Sequence, residues 1–576
     1  CCILANGMAE NPLIGAWYTT VVRFVFPLLA LMILVGAIRS LWKVKHPDEV
    51  WGYLVLRNGV RLPITHWENI IGRAPSCDVQ LEYPSVSRQH AALIREDDGS
   101  WTIYDLGSKG GIKVNDLPVD EYAIVEDGDT VSFGGIPTTM VPISAEEKRW
   151  QMAERREEGR PAGMWGSLVL LTLFQVLTAV QLVVAGGGEA NVTIPLTFFV
   201  FTCVCWGYFI FMRLFRRIGF EMETIAFFLC TLSLAVTGST VPDELPKQLI
   251  AILMGMTMFL ILGFFLRDLT RAQKVRWFMG ATAVGLLAIT LLIGSSEGGA
   301  KAWLRFGSLS LQTSEIAKIC YIFAGAATLD RLFNKRNLWM FIGLTGVCGG
   351  CLALQNDFGT ALVFFVTFLV IAYLRSGDFA TLGLVCAGCF GGGMGMVMLT
   401  IKPHVAARFA SWGHIWEDVY DKGFQQTHTL TAAASGGLIG VGAGKGWLSG
   451  LPAADTDIVF GMLCEEWGLV IAVLTVLCII TLAVFAVRAC RAGRSSFYTI
   501  AACAATSLLV FQTCLNVFGA VDILPFTGVT LPFVSNGGSS MLSAWGMLAF
   551  LKATDTRQNA SFAVRLPSRR ELRGED

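Results

Sequence analysis

Charge is scarce in this 576-residue chain: Asp, Glu, Lys and Arg together make up 15% of it, where a soluble protein carries about 25%. The 44 basic and 44 acidic residues cancel, which removes bulk electrostatics as a case for nucleic-acid binding. Histidine is rarer still, with 6 copies and no HxxxH or HExxH spacing, so the sequence carries no preformed zinc motif of that kind. Sixteen cysteines are present, but Cys203, Cys205, Cys230, Cys478, Cys503 and Cys514 sit inside apolar runs, where a thiol behaves as a small hydrophobe rather than half of a disulfide. A nucleotide loop is missing too. Gly442-Ala443-Gly444-Lys445-Gly446 lacks the GxxxxGK[ST] spacing and its hydroxyl residue.

What is abundant is apolar sequence, 54% of the chain, with a mean hydropathy of +0.57. Outside one charge-rich stretch it falls into runs of about 18–24 residues, long enough to cross a ~30 Å hydrocarbon core as helices. The runs predict a polytopic α-helical membrane protein with about thirteen spans, near 20–41, 165–186, 192–212, 224–241, 247–266, 275–294, 314–331, 338–355, 358–375, 380–400, 458–488, 497–521 and 537–553. The chain opens on Cys1, and Met8 is a candidate start. Arg39, Lys43 and Lys45 follow the first span as a stop-transfer pattern, not a cleavage site.

Basic clusters at 213–217, 267–276, 331–336 and 488–494 and in the tail after 552 all fall on one side of this thirteen-span arrangement. The positive-inside rule assigns that side to the cytoplasm. Residues 43–163 and the C-terminus are then inside, and the long segment 401–456 is outside. The expected organisation is an anchor helix over 1–45, a soluble domain over 50–145, a charged linker over 146–163 and two further spans over 164–213. A core over 224–555 and a basic tail over 556–576 complete it.

Residues 50–145 alternate in short β-like runs (Gly52–Leu56, Ala91–Arg95, Trp101–Tyr104, Thr130–Phe133) punctuated by turns such as Glu126-Asp127-Gly128. Within this all-β domain, Ile71-Gly72-Arg73, Ser87-Arg88-Gln89-His90 and Asp105-Leu106-Gly107-Ser108 follow in order. This resembles the forkhead-associated (FHA) domain, a β-sandwich that binds phosphothreonine peptides. The resemblance implies that Arg73 and Ser87 hold the phosphate, that Arg88 and Lys109 add charge, and that His90 braces the loop. A guanidinium with hydroxyl and backbone donors suits a nearly dianionic phosphate. Gly110 stands where the family has a peptide-binding Asn.

Ionisable residues inside apolar spans are costly and point to function. Glu315 and Lys318 lie three apart on one expected helix, Asp357 sits at a break between two spans, and Asp457 opens the span that also carries Glu465 and Glu466. The long outside segment adds His404, Arg408, His414, His428 and Lys445. The assigned topology gathers Asp457, Asp357, Glu315 and Lys318 toward the outer leaflet.

Four ordered segments carry a second resemblance. They are Gly299-Ala300-Lys301-Ala302-Trp303 with Thr313-Ser314-Glu315-Ile316-Ala317-Lys318; Gln355-Asn356-Asp357-Phe358-Gly359-Thr360; Leu451-Pro452 through Thr456-Asp457 to Glu465-Glu466-Trp467-Gly468; and Leu524-Pro525-Phe526-Thr527-Gly528 through Ser535-Asn536-Gly537-Gly538. Together they resemble the FtsW/RodA/SpoVE (SEDS) proteins over a ten-span core. The resemblance implies a peptidoglycan glycosyltransferase that polymerises lipid II at the outer membrane face, with inversion and an undecaprenyl-diphosphate leaving group, beside a class B penicillin-binding protein. It implies that Asp457 is required for activity and that Glu315 and Lys318 line the substrate cavity. The acceptor hydroxyl needs a general base, for which Asp457 is the candidate, and the diphosphate needs cations, for which Arg408, Lys318 and Lys445 are the candidates; Asp357 and Glu466 are the further expected substrate contacts. Asp455 stands in the place of a family His and, with Asp457, is a candidate holder of Mg2+ or Mn2+. A lipid II translocator and a non-catalytic scaffold for a transpeptidase remain as alternatives. On the cytoplasmic side the expected partner is a phosphothreonine protein.

Overall fold

The computed structural model describes residues 12–43, 49–75, 77–95, 99–158, 163, 165–186, 192–217, 219–297, 300–307, 309–328, 335–376, 383, 411–491, 495–555 and 557. The chain first forms α1 (Pro12–Lys43) and then eleven strands, β1 (Gly52–Leu56) to β11 (Ile136–Pro142), in two sheets. Period-2 alternation drives them together: Leu54, Ile64, Ile71, Leu93, Ile103, Val131 and Phe133 point inward and are buried. Between β1 and β11 run β2 (Arg61–Ile64), β3 (Glu68–Gly72), β4 (Val79–Gln80), β5 (Ala91–Arg95), β6 (Trp101–Asp105), β7 (Ile112–Val114), β8 (Leu117–Val119), β9 (Tyr122–Val125) and β10 (Thr130–Phe133). The sheets are ordered β2-β1-β11-β10-β7-β8 and β4-β3-β5-β6-β9. The charged helix α2 (Ala145–Glu158) leaves this sandwich, and Tyr53 hydrogen-bonds back to its Glu147.

A helical bundle follows: α3 (Trp165–Ala185), α4 (Thr193–Leu214), α5 (Glu221–Thr240), α6 (Leu245–Phe265), α7 (Leu269–Ile293), α8 (Thr313–Thr328), α9 (Lys335–Leu354), α10 (Phe358–Ser376), α11 (Phe424–Gly436), α12 (Leu469–Arg491), α13 (Ser496–Ala520) and α14 (Gly538–Ala553). Among the described residues eight helices are long and apolar enough to cross a membrane, with shorter apolar helices at Leu338–Leu354 and Phe358–Leu374. The expected span 380–400 lies outside the described residues, Gly383 excepted.

The bundle has two distinct ends. At one, Ser40 at the close of α1 donates to Glu221 at the start of α5, and Arg557 joins Glu221 and Asp555. Lys552 pairs with Glu223 there, 3.0 Å away and fully buried. The β-sandwich docks on this end. Trp67 packs on the bundle core, and the Glu68 carboxylate accepts hydrogen bonds from Ser495 Oγ, Ser496 N and Ser496 Oγ at the first turn of α13. At the other end, Thr19 of α1 and Gln181 of α3 contact the loop 441–445, and Ser239 at the close of α5 donates to Glu466.

Two stretches differ from the expected spans. The run 458–488 is not one helix. A short helix (Val459–Met462) widens into a turn with i→i+5 bonding (Leu463–Trp467), and the chain breaks at Gly468, φ +86°, before α12 begins. A Cβ at Gly468 would lie 2.4 Å from Gly440 N and Leu438 O, so only glycine permits the crossing. Apolar composition concealed the break because the residues around it are buried. Likewise, the expected loop between the spans near 275–294 and 314–331 contains a three-stranded sheet, Ser295–Glu297, Ala300–Phe306 and Leu309–Gln312. The long segment expected outside holds α11, packed between that widened turn and α13.

Candidate active site

A glycine- and proline-rich loop, 522–537, organises the end of the bundle opposite the sandwich. Asp457 is half-buried beside it; a Cβ on Gly528, whose φ is +68°, would lie 3.2 Å from an Asp457 carboxylate oxygen. On its other flank the loop packs against α10, where a Cβ on Gly359 would meet Val529 at 2.9 Å and the Thr527 carbonyl at 3.2 Å. Gly359 follows Asp357, whose Oδ1 accepts from Thr360 N at 3.1 Å while Oδ2 is buried without a hydrogen-bond partner. Burial raises the Asp357 carboxyl above the usual carboxylate range, the Thr360 bonds and the charge of Lys318 oppose this, and that of Glu315 adds to it.

Glu315 and Lys318 are paired at 2.7 Å on the first turns of α8, both almost fully buried. The second Glu315 oxygen has no hydrogen-bond partner. Lys318 Nζ also donates to Gln512 Oε1 at 3.2 Å, and Gln512 Nε2 donates to the carbonyl and hydroxyl of Thr530 in the loop. Asn516 Nδ2 donates to the backbone carbonyls of Asp457 and Val529. Three separated segments of sequence, 315–318, 357–360 and 455–457, are thus assembled around one loop. Buried carboxylate oxygens lacking hydrogen-bond partners are costly unless something meets them, and two of them, on Glu315 and Asp357, lie on the segments assembled around this loop.

The other expected site residues are placed as follows. Glu466 has Ser239 Oγ and Gly444 N as donors, and Glu465 takes Trp447 N and Leu448 N, both at 3.0 Å. These two carboxylates clasp the glycine-rich loop 441–448. Lys445 is exposed on that loop, whose other contacts run to Thr19, Gln181 and Ala185 of the N-terminal helices. Arg408 and His404 lie outside the described residues. His414 is exposed at 3.3 Å from Glu417, and His428 stacks on Phe424.

Asp455 Oδ2 is held by Asn536 Nδ2 at 2.7 Å, and among the described residues no three His, Cys, Asp or Glu side chains gather as metal ligands. Gln512, Asn516, Gly528 and Thr530 are the residues that sequence reasoning did not single out. Their signal was present: Gln512 and Asn516 are amides one turn apart in an otherwise apolar span.

In the sandwich, Arg73, Ser87, Arg88 and Lys109 come together on adjacent loops at one edge. Arg73 N and Ala74 N donate to the Ser87 and Arg88 carbonyls, and Lys109 N donates to Ser87 Oγ at 3.0 Å. The three basic side chains are exposed. His90 is fully buried; its Nδ1 accepts from Ser87 N and its Nε2 donates to the Gly111 carbonyl, which fixes the loop. Gly110 packs tightly, a Cβ there falling 2.7 Å from Gly134 Cα.

Fold and site define a multi-pass membrane protein with an appended β-sandwich and a carboxylate-bearing site at one end of its bundle. Residues 228–560 match the FtsW/RodA/SpoVE family of cell cycle proteins, and residues 69–134 match the FHA domain. The chain belongs to the FtsW/RodA/SpoVE family, and its sandwich is an FHA domain. It is 29% identical over 326 residues to the peptidoglycan glycosyltransferase RodA of Mycobacterium tuberculosis strain H37Rv, covering 53% of this chain and 69% of that protein. It is 30% identical over 331 residues to the probable peptidoglycan glycosyltransferase FtsW of Pseudoalteromonas translucida, covering 53% of this chain and 81% of that one. Among solved structures it is similar to a chain of a peptidoglycan synthase complex, at 25% identity and a TM-score of 0.48, covering 58% of this chain and 96% of that chain.

Proposed function

We propose that the chain is a peptidoglycan glycosyltransferase that polymerises lipid II at the outer face of the membrane, with Asp457 as general base. The observation that carries this reading is the gathering of Asp457, the Glu315–Lys318 pair and the segment from Asp357 to Thr360 around the loop 522–537, at the bundle end opposite the FHA domain. The donor is a lipid diphosphate, so its anomeric carbon sits just above the hydrocarbon, level with a bundle end. As the acceptor sugar's hydroxyl attacks that carbon, the Asp457 carboxylate takes its proton. The carbon inverts and the diphosphate leaves on its lipid. A single carboxylate suffices for a one-step inversion. Lys318, oriented by Glu315 and Gln512, supplies positive charge toward the departing diphosphate.

The FHA domain, on the other end of the bundle and therefore cytoplasmic, binds a phosphothreonine protein through Arg73, Ser87, Arg88 and Lys109. A class B penicillin-binding protein would crosslink the strands made outside. Purified chain given lipid II, with no other transferase present, tests the reading. Asp457→Asn should lower polymer formation by about 10²-fold or more, the usual weight of a general base. A variant that polymerises normally, or wild-type protein that moves lipid II across vesicles without polymerising it, would replace this reading with the translocator.

A further inference from the structure

We infer that Gln512 and Asn516 of α13 are positioning residues, a two-rung amide ladder that holds the general base and the site's buried cation against the 522–537 loop; this rests on Asp457 acting as proposed. The two side chains lie one turn apart on the same helix face and are buried. Each bridges a reacting segment to the loop. Asn516 Nδ2 lies 2.9 Å from the Asp457 carbonyl oxygen and 2.7 Å from that of Val529, so one NH2 group ties the backbone of the base to the residue after Gly528. Gln512 accepts from Lys318 Nζ at 3.2 Å through Oε1, and through Nε2 donates to the Thr530 carbonyl at 3.0 Å and hydroxyl at 3.1 Å. Thr530 Oγ1 is 2.7 Å from Ser540 Oγ, which anchors the loop to α14.

These partners fix the amide orientations. Two carbonyl oxygens face Asn516 Nδ2, and only an NH2 group satisfies both. The Lys318 ammonium requires an acceptor from Gln512, and the Thr530 carbonyl requires a donor. Amides placed merely to pack helices would meet side chains or carbonyls of neighbouring helices. These instead reach the main chain of Asp457, the side chain of Lys318 and the two loop residues that follow Gly528, the glycine on which a Cβ would lie 3.2 Å from the Asp457 carboxylate. The ladder therefore couples three distances: base to loop, loop to cation, and base to cation.

The chemistry of the two amides separates their effects. Asn516→Asp keeps the volume but turns an oxygen on two carbonyls, so the Asp457 segment shifts while Lys318 keeps its partners Glu315 and Gln512. Displacing a reacting group by about 1 Å costs ~10²-fold in rate. Gln512→Glu keeps an acceptor for Lys318 but loses the donor to the Thr530 carbonyl, whereas Gln512→Leu removes both.

The test is steady-state lipid II polymerisation by the purified full-length chain, with melting temperature measured on the same samples and Asp457→Asn run alongside. Asn516→Asp and Asn516→Ala should each lower kcat by ~10- to 100-fold with KM within about twofold. Gln512→Leu should raise KM several-fold, and Gln512→Glu, which keeps the Lys318 contact and loses the donor to Thr530, should raise it by less. If the folded variants show wild-type kcat and KM, or lose activity only in proportion to the fraction unfolded, the ladder is ordinary packing and the inference fails. Should both Asn516 variants melt below the assay temperature, the Gln512→Leu and Gln512→Glu comparison decides alone. Normal polymerisation by Asp457→Asn would sink the underlying reading itself; an inactive Asp457→Asn beside wild-type-like amide variants would sink only the ladder.

Discussion

Replacing Glu68 should release the FHA domain from the membrane bundle without touching its phosphate loops. The Glu68 carboxylate receives hydrogen bonds from Ser495 Oγ at 2.8 Å, Ser496 N at 3.0 Å and Ser496 Oγ, and so caps α13 from another domain. A hydrogen bond to a charged group contributes about 1.5–3 kcal/mol, and an anion at a helix N-terminus about 0.3–1 kcal/mol. One half-exposed carboxylate shared among three donors gives less than their sum, about 2–3 kcal/mol for the set. That corresponds to a ~30- to 150-fold change in the equilibrium between docked and undocked forms. The assay is hydrogen exchange of the Ser496 and Phe497 amides in the full chain reconstituted in lipid nanodiscs, comparing wild type, Glu68→Gln and Glu68→Ala. Both amides should exchange ~30- to 150-fold faster in Glu68→Ala and by less in Glu68→Gln, while phosphothreonine-peptide affinity stays at the wild-type value. Unchanged exchange at those two amides would refute the docking argument. So would an equal rise at Leu508 and Leu509 deep in α13, which would mean the whole helix had loosened.

Gly528→Ala places a methyl 3.2 Å from the Asp457 carboxylate at a φ of +68°, and should reduce polymerisation about 10-fold or more with little change in melting temperature. Lys552→Met leaves Glu223 buried without its cation, and should destabilise the bundle by about 3–5 kcal/mol in a denaturant or thermal assay; the double change with Glu223→Leu should recover most of the loss. Asp357 has its carboxyl raised by burial, so the folded state binds a proton more tightly than the unfolded chain does. Its stability contribution is fully present below the unfolded-state value and is lost as pH rises through the folded one. Asp357→Asn should therefore stabilise the chain at neutral pH, with the gain shrinking as pH falls toward 4, read as melting temperature against pH.

Much of this arrangement was legible because membranes and β-sandwiches write strong patterns. Long apolar runs disclose spanning helices through the need to satisfy every backbone amide in lipid, and short β-like runs between turn signals disclosed β1, β5, β6 and β10. Intramembrane charge singled out Glu315, Lys318 and Asp357 for the same energetic reason. The illegible parts depend on contacts between distant segments. Gly468 reads as one more small residue in an apolar stretch until Gly440 is packed against it. Glu466 reads as a charge available to a substrate until Ser239 and Gly444 are seen to donate to it. The strands at 300–306 and 309–312 did carry alternation around Gly307, but a membrane context made a loop the simpler reading.

The position of α13 gives the two-ended design its physical sense. Its first turn is capped by the FHA domain through Glu68, and about four to six turns later it presents Gln512 and Asn516 to Lys318 and Asp457. In the sandwich, β3 carries Glu68 at its start and is followed directly by Arg73, on the phosphate-binding edge. One short strand therefore separates the docking carboxylate from the phosphate loops. On the proposed reading, a phosphopeptide held at Arg73, Ser87, Arg88 and Lys109 uses none of the atoms that cap α13, so docking and peptide binding do not compete for them. Such a layout suits a domain that brings a phosphoprotein to the synthase while remaining seated on it. A switch that had to let go of the bundle in order to bind would instead place its basic loops against Ser495 and Ser496, where the structure has an acidic side chain.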